Sequence, residues 1–212
     1  METGIRGRKG AVGYAFRLPG LYAEGETPER VLSSLPEAIT AEIEWLAGHG
    51  VRAAFAEGPI RVEQAERIDL ATDVARGIWR GLFQYELRRT TDEDVETTLE
   101  RARFAREDVL ARIGSSGPDE EIAARLRAHA DAEWELLSKL GVRLRADLPD
   151  DPVERLSAVR AHAENRLRNL MPGDRERLAV FDGEKWTARK VLRCFVVAEK
   201  RLLHDLDVHS PR

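Results

Sequence analysis

Cysteine is all but absent: Cys194 is the only one in 212 residues. An internal disulfide framework is therefore excluded, and the expected compartment is a reducing one, the cytoplasm. No apolar run approaches the ~20 residues needed to cross a bilayer, and residues Met1 to Gly10 hold no apolar signal core. No membrane partner is expected. Lysine is scarce too, since 29 of the 34 basic residues are arginine, and these are scattered among 38 acidic ones for a net charge of −4. That balance argues against a nucleic-acid module, which carries a basic patch. Familiar catalytic motifs are missing as well: there is no G-x-S-x-G elbow, no Walker loop, no dinucleotide fingerprint after a strand and no H-E-x-x-H pair. What the chain does have is a globular composition, 42% hydrophobic and 34% charged. Its length allows one or two domains with a sizeable core.

The first third reads as β followed by α. Val12, Tyr14 and Phe16 alternate with smaller or polar neighbours at the period of a half-buried strand. Leu18-Pro19-Gly20 forms a turn, and Leu21 to Ala23 a short second strand. Thr27-Pro28 is a helix start, with threonine as N-cap and proline in the first turn. Leu32, Leu35, Ile39, Ile43 and Leu46 then recur at helical spacing up to Gly48 and Gly50. Pro36 inside this run predicts a kink or a break. Residues 51–85 are the least legible: Gly58-Pro59 marks a turn, Ile60 and Val62 suggest a strand, and Leu70 to Gln84 fits either a helix or an irregular buried segment.

From Thr90 onward helical signals dominate. Thr91 with Asp94 resembles a capping box, and Val95, Leu99, Ala102, Val109, Leu110 and Ile113 share a face. A second helix spans about Asp119 to Leu140, a third starts at Asp150-Asp151-Pro152 and reaches about Leu170, and a fourth is capped by Thr187 and reaches about Leu206. Four such amphipathic helices suffice for an up-down bundle. The expected fold class is α+β, with a small αβ domain over residues 1–62, a connector over 63–89 and the bundle over 90–212.

Helical projection at ~100° per residue places His129 and Glu133 on the apolar face of the second bundle helix and Glu199 on that of the fourth. Arg160 falls at the edge of the third helix's apolar face, while His162, His204 and Asp131 point away from the core. Charged groups seldom enter a core unpaired, so two readings stand. His129, Glu133 and Glu199 form a divalent-metal site with open positions, or they form an internal ion-pair network in which Arg160 neutralises a carboxylate. Arg160, Trp134, Ala198 and Leu202 are the candidate pocket residues. Phe104 projects away from its helix's apolar stripe and is expected to meet the N-terminal domain or a second subunit. Cys194 reads as a small buried apolar side chain, and Trp186 as a staple against the first turn of the last helix.

Leu126-Arg127-Ala128-His129-Ala130-Asp131-Ala132-Glu133-Trp134 and Trp186-Thr187-Ala188-Arg189-Lys190-Val191-Leu192-Arg193 resemble two stretches of the DinB-like family of four-helix bundles. The resemblance covers about residues 90–206. It implies a divalent metal held by three histidines, one matching His129 and an H-x-x-x-H pair falling near Ala198 and Leu202, where this chain has no ligand. Some members of that family are transferases or isomerases that use a low-molecular-weight thiol. The N-terminal Tyr14-Ala15-Phe16, Leu18-Pro19-Gly20 and Ala23-Glu24-Gly25-Glu26-Thr27-Pro28-Glu29 are similar to the HicB-like antitoxin fold, which implies a scaffold or dimerisation role. The leading expectation is a non-catalytic binding or structural protein, a homodimer, with a small-molecule ligand in a bundle that has lost most of the family's metal ligands. The alternative is a metal-dependent thiol transferase or isomerase, with Glu133 or Glu199 as replacement ligand.

Overall fold

The computed structural model describes residues 1–3, 10–52, 59–69, 81–114, 117–141 and 147–209, with residues 208 and 209 described by backbone alone. The chain divides into two compact units, Met1–Gln84 and Tyr85–Arg212, and its class is α+β.

In the first unit, β1 (Glu2–Thr3), β2 (Ala11–Tyr14), β3 (Tyr22–Gly25) and β4 (Ile68–Asp69) form a sheet in the order β3-β2-β1-β4. The β2–β3 pair is antiparallel, with Tyr14 opposite Tyr22, and β1 runs parallel to β4, with Glu2 opposite Ile68. Helix α1 (Pro28–Gly48) is capped as expected, the Arg30 amide donating to the Thr27 hydroxyl at 3.2 Å. It passes through Pro36 without a break, because Val31 and Leu35 before the proline and Leu46 after it are all buried and hold both halves in place. The helix lies so close to the sheet that a Cβ on Gly13 would sit 2.7 Å from a Val31 methyl.

Three expectations change here. The first strand ends at Tyr14 rather than Phe16, whose ring turns to meet Phe83 edge-on at 5.2 Å. Ile60 and Val62 are not in a strand; β4 comes later, at Ile68–Asp69. Residues 63–89, read as a connector, contribute β4 to the first unit's sheet and their last five residues to the second unit. Gly58, and residues 70–80 of the Leu70–Gln84 segment, lie outside the described residues.

In the second unit α2 (Asp92–Ile113), α3 (Glu120–Ser138), α4 (Pro152–Arg168) and α5 (Ala188–His209) pack around one core. The principal neighbours are α2 with α5, α5 with α3, α3 with α4 and α4 with α2. Every start is capped by a side chain: Thr91 with the reciprocal capping box to Asp94, Asp119, Asp151 and Thr187. Between α4 and α5 stands a hairpin absent from the sequence expectation, β5 (Ala179–Phe181) and β6 (Glu184–Trp186). Its two-residue turn, Asp182-Gly183, has φ of +52° and +79°, the left-handed values that an Asp-Gly turn supplies most readily.

Candidate functional site

The core stripes explain why charged groups meet inside the helical unit. In α2 the buried residues Val95, Leu99, Ala102 and Val109 recur at alternating steps of four and three, and Arg106 occupies the step between the last two. In α3 the same rhythm runs Ala123, Leu126, Ala130, Glu133, Leu137. In α5 it runs Leu192, Phe195, Glu199, Leu202, Leu206. A residue in such a stripe faces the other helices whatever its chemistry. Arg160 follows Val159 in α4, and His129 precedes Ala130 in α3, so both enter from the stripe's edge.

Glu199 is the centre. Its Oε1 accepts from Arg160 Nη2 at 2.5 Å, from His129 Nε2 at 2.7 Å and from Arg106 Nη2. Its Oε2 accepts from Arg106 Nε at 3.1 Å. Glu133 bridges the same two arginines, with Oε1 accepting from Arg160 Nε and Oε2 from Arg106 Nη2, each at 3.2 Å. Arg106 uses its remaining nitrogen on the Leu156 carbonyl of α4 at 3.2 Å, and the Arg160 guanidinium lies 4.5 Å from the centroid of the Phe195 ring. Both carboxylates are sealed, at 0% and 2% side-chain exposure, while Arg106, Arg160 and His129 each keep 9%.

Burial alone would raise the pKa of Glu199. The charges of Arg106, His129 and Arg160, with the His129 hydrogen bond, overturn that and hold it well below the usual carboxylate range. Burial likewise works against the Arg106 cation, but Glu199 and Glu133 outweigh it and push the guanidinium pKa up. The network is thus two guanidiniums against two carboxylates, neutral before His129 is counted.

Does this donor set fit the divalent metal that the sequence resemblance implies? One ligand atom each from His129, Glu133 and Glu199 lies within 4.8 Å of the others, so the spacing is close to that of a site. The chemistry is not. The carboxylate oxygens a metal needs already accept guanidinium N–H groups, and a divalent ion would add two uncompensated charges beside two buried arginines. The set does not fit a metal.

The sequence-derived residues therefore divide. His129, Glu133, Glu199 and Arg160 are brought together. Trp134 is not: its half-exposed ring meets His162 edge-on at 5.4 Å, and His162 is exposed. Ala198 and Leu202 flank Glu199 on α5, half-buried and buried, with no side-chain donor atom to offer. Asp131 is exposed and paired with Arg155 at 2.6 Å, and His204 is exposed. Phe104 is only 5% exposed, with the Arg103 and Arg101 guanidiniums 4.6 and 5.9 Å from its ring. The buried face of α2 is thus wider than one stripe.

Sequence reasoning missed Arg106 altogether, along with a second buried pair. Glu86, in the 3-10 turn Gln84–Leu87, accepts from Arg193 Nε at 2.7 Å; both are almost fully buried. Beside it Lys190 is wholly buried, donates to the Lys185 carbonyl at 3.0 Å and sits 4.2 Å from the Trp186 ring. Burial lowers its pKa. Trp186 is buried in β6, and Cys194 is buried.

No family model matches the chain, and no curated protein or solved structure is detectably similar to it. Among the described residues no helix is long and apolar enough to cross a membrane.

Proposed function

We propose that this is a non-catalytic binding or structural protein of the cytoplasm, with a HicB-like αβ unit followed by a DinB-like up-down bundle that carries no metal. Arg106 and Arg160 supply in this bundle the positive charge that a metal supplies in its relatives. One observation carries the reading: every oxygen of Glu133 and Glu199 is engaged by a guanidinium. The resemblance of residues 126–134 and 186–193 to the family's stretches supports the bundle's kinship, and the residues at 198 and 202, alanine and leucine, agree with loss of the metal. The alternative, a metal- and thiol-dependent transferase or isomerase, needs carboxylate lone pairs that the arginines hold.

Elemental analysis of tag-free protein, purified without chelator and again after incubation with zinc, nickel, manganese or iron(II), tests the proposal. The expected content is well under one equivalent in wild type and in His129→Ala alike. Near one equivalent in wild type, lost in His129→Ala, overturns it and makes thiol-transfer assays the next step.

A further inference from the structure

We infer that the basic side of the network is a binding site for a small monoanion, a carboxylate by class, received by Arg160. The inference rests on the metal-free reading and names the ligand chemistry that reading leaves open.

The first observation is an orphan donor. Arg160 Nε and Nη2 are spent on Glu133 and Glu199, but Nη1 is fully buried and finds no acceptor among the described residues. A buried N–H left without an acceptor is costly, and a charged one more so. Arg106, by contrast, has a partner for each of its three nitrogens. The spare hydrogen-bonding capacity is therefore at Arg160.

The second observation is where the cluster keeps contact with its surroundings. The two carboxylates are the sealed members, and what exposure remains belongs to Arg106, Arg160 and His129. The residual exposure of the cluster thus belongs to its basic side chains and not to its carboxylates. A cation is repelled by these groups, whereas an anion is attracted and finds at Arg160 Nη1 a charged N–H donor with no acceptor among the described residues.

Charge sets the class. The two arginines and two glutamates cancel, and His129 adds either nothing or one positive charge. A monoanion beside a protonated His129 leaves the whole assembly neutral; a dianion leaves a buried net negative charge, which is strongly disfavoured. Size acts in the same direction, because Arg160 lies against Phe195 and beneath little exposed surface, so formate or acetate suits the position better than a bulky acid.

The test is thermal unfolding at constant ionic strength, with sodium formate replacing sodium gluconate, whose anion is too large for a buried site. Wild type is expected to gain about 3 °C in Tm at formate ten times its Kd, and Arg160→Gln to show no formate-dependent gain. No gain in wild type, or an equal gain in Arg160→Gln, overturns the inference. Should Arg160→Gln not fold, anomalous diffraction from wild-type crystals soaked in sodium bromide decides. Bromide within hydrogen-bonding distance of Arg160 sustains the site, and bromide only on surface arginines removes it. Metal-free protein that ignores formate loses this inference alone, while one equivalent of metal in wild type removes the metal-free reading and the inference together.

Discussion

Glu199 is a carboxylate with no exposed surface, approached by one base from each of the other three helices: Arg106 of α2, His129 of α3 and Arg160 of α4. Its folded pKa lies well below the ordinary value. A group depressed in this way contributes stability that is complete above the unfolded carboxylate pKa of about 4.3 and is lost as the pH falls towards the folded pKa. Wild type is thus expected to weaken steadily below about pH 5 in urea melts, and Glu199→Gln, less stable at neutral pH, to show a flatter acid limb. Parallel acid limbs would show that Glu199 does not carry the effect. The pairing with Arg106 is testable by a double-mutant cycle. Glu199→Gln leaves two buried guanidiniums against one carboxylate, and breaking such a buried pair costs about 3–5 kcal/mol. Adding Arg106→Met restores neutrality through Arg160 and Glu133, so the double variant should be more stable than the sum of the two losses by about 1–3 kcal/mol. Additive losses would mean the two groups do not interact.

At the same scale, the sequence was more legible than a search for apolar stripes allows. Glu133 and Glu199 stand out because a carboxylate interrupts a run of leucines. Arg106 falls in the same rhythm of fours and threes between Ala102 and Val109, but an arginine next to Glu107 and Asp108 in a highly charged helix reads as solvated, because its long stem can carry the charge outward. The stripe register, rather than residue type, was the signal that could have found it. Arg193 and Lys190 were hidden for the same reason, and their burial follows from the extent of α5's buried face, Lys190 through Val197.

Among the elements, the best-specified junction is the start of α2. The Thr91 hydroxyl accepts from the Asp94 amide at 3.1 Å, Asp94 Oδ2 accepts from the Thr91 amide at 2.7 Å, and Arg189 of α5 donates to the same carboxylate at 2.5 Å and to the Arg89 carbonyl at 2.8 Å. Thr91→Ala is expected to cost about 1 kcal/mol, read as a lower midpoint in chemical denaturation with an unchanged slope. A loss below ~0.3 kcal/mol would mean that Asp94 and Arg189 hold the helix end without the cap. Helix starts were readable because capping is local chemistry between neighbours in sequence. The short strands were not. β1 and β4 are two residues each, and β4 exists only by pairing with β1 across most of the first unit's sequence, which no local periodicity records. The β5–β6 hairpin had a local signal in Asp182-Gly183, but three-residue arms are too short to show alternation.

Over the whole molecule, buried charge shapes stability at both ends of the pH scale. Glu199 acts on the acid side. On the alkaline side Lys190, wholly buried, has its pKa lowered first of all by burial, so the unfolded chain holds that proton more tightly than the folded one. Stability therefore rises as the pH climbs from the folded towards the unfolded lysine pKa. Lys190→Met is expected to flatten that rise, as followed by far-UV circular dichroism in denaturant series at successive pH values. An unchanged slope would place the effect on other groups. Because the chain comprises two compact units, each transition is best followed by a probe of the helical unit, where both groups lie.

The central claim is that Arg106 and Arg160 hold the carboxylates a metal would otherwise take. Cobalt(II) titration followed by visible absorption tests it most directly, comparing wild type with Arg106→Gln/Arg160→Gln. The account predicts no ligand-field bands in wild type and bands appearing in the double variant, where His129, Glu133 and Glu199 keep donor atoms within 4.8 Å of one another. Cobalt bound by wild type as tightly as by the double variant would contradict it.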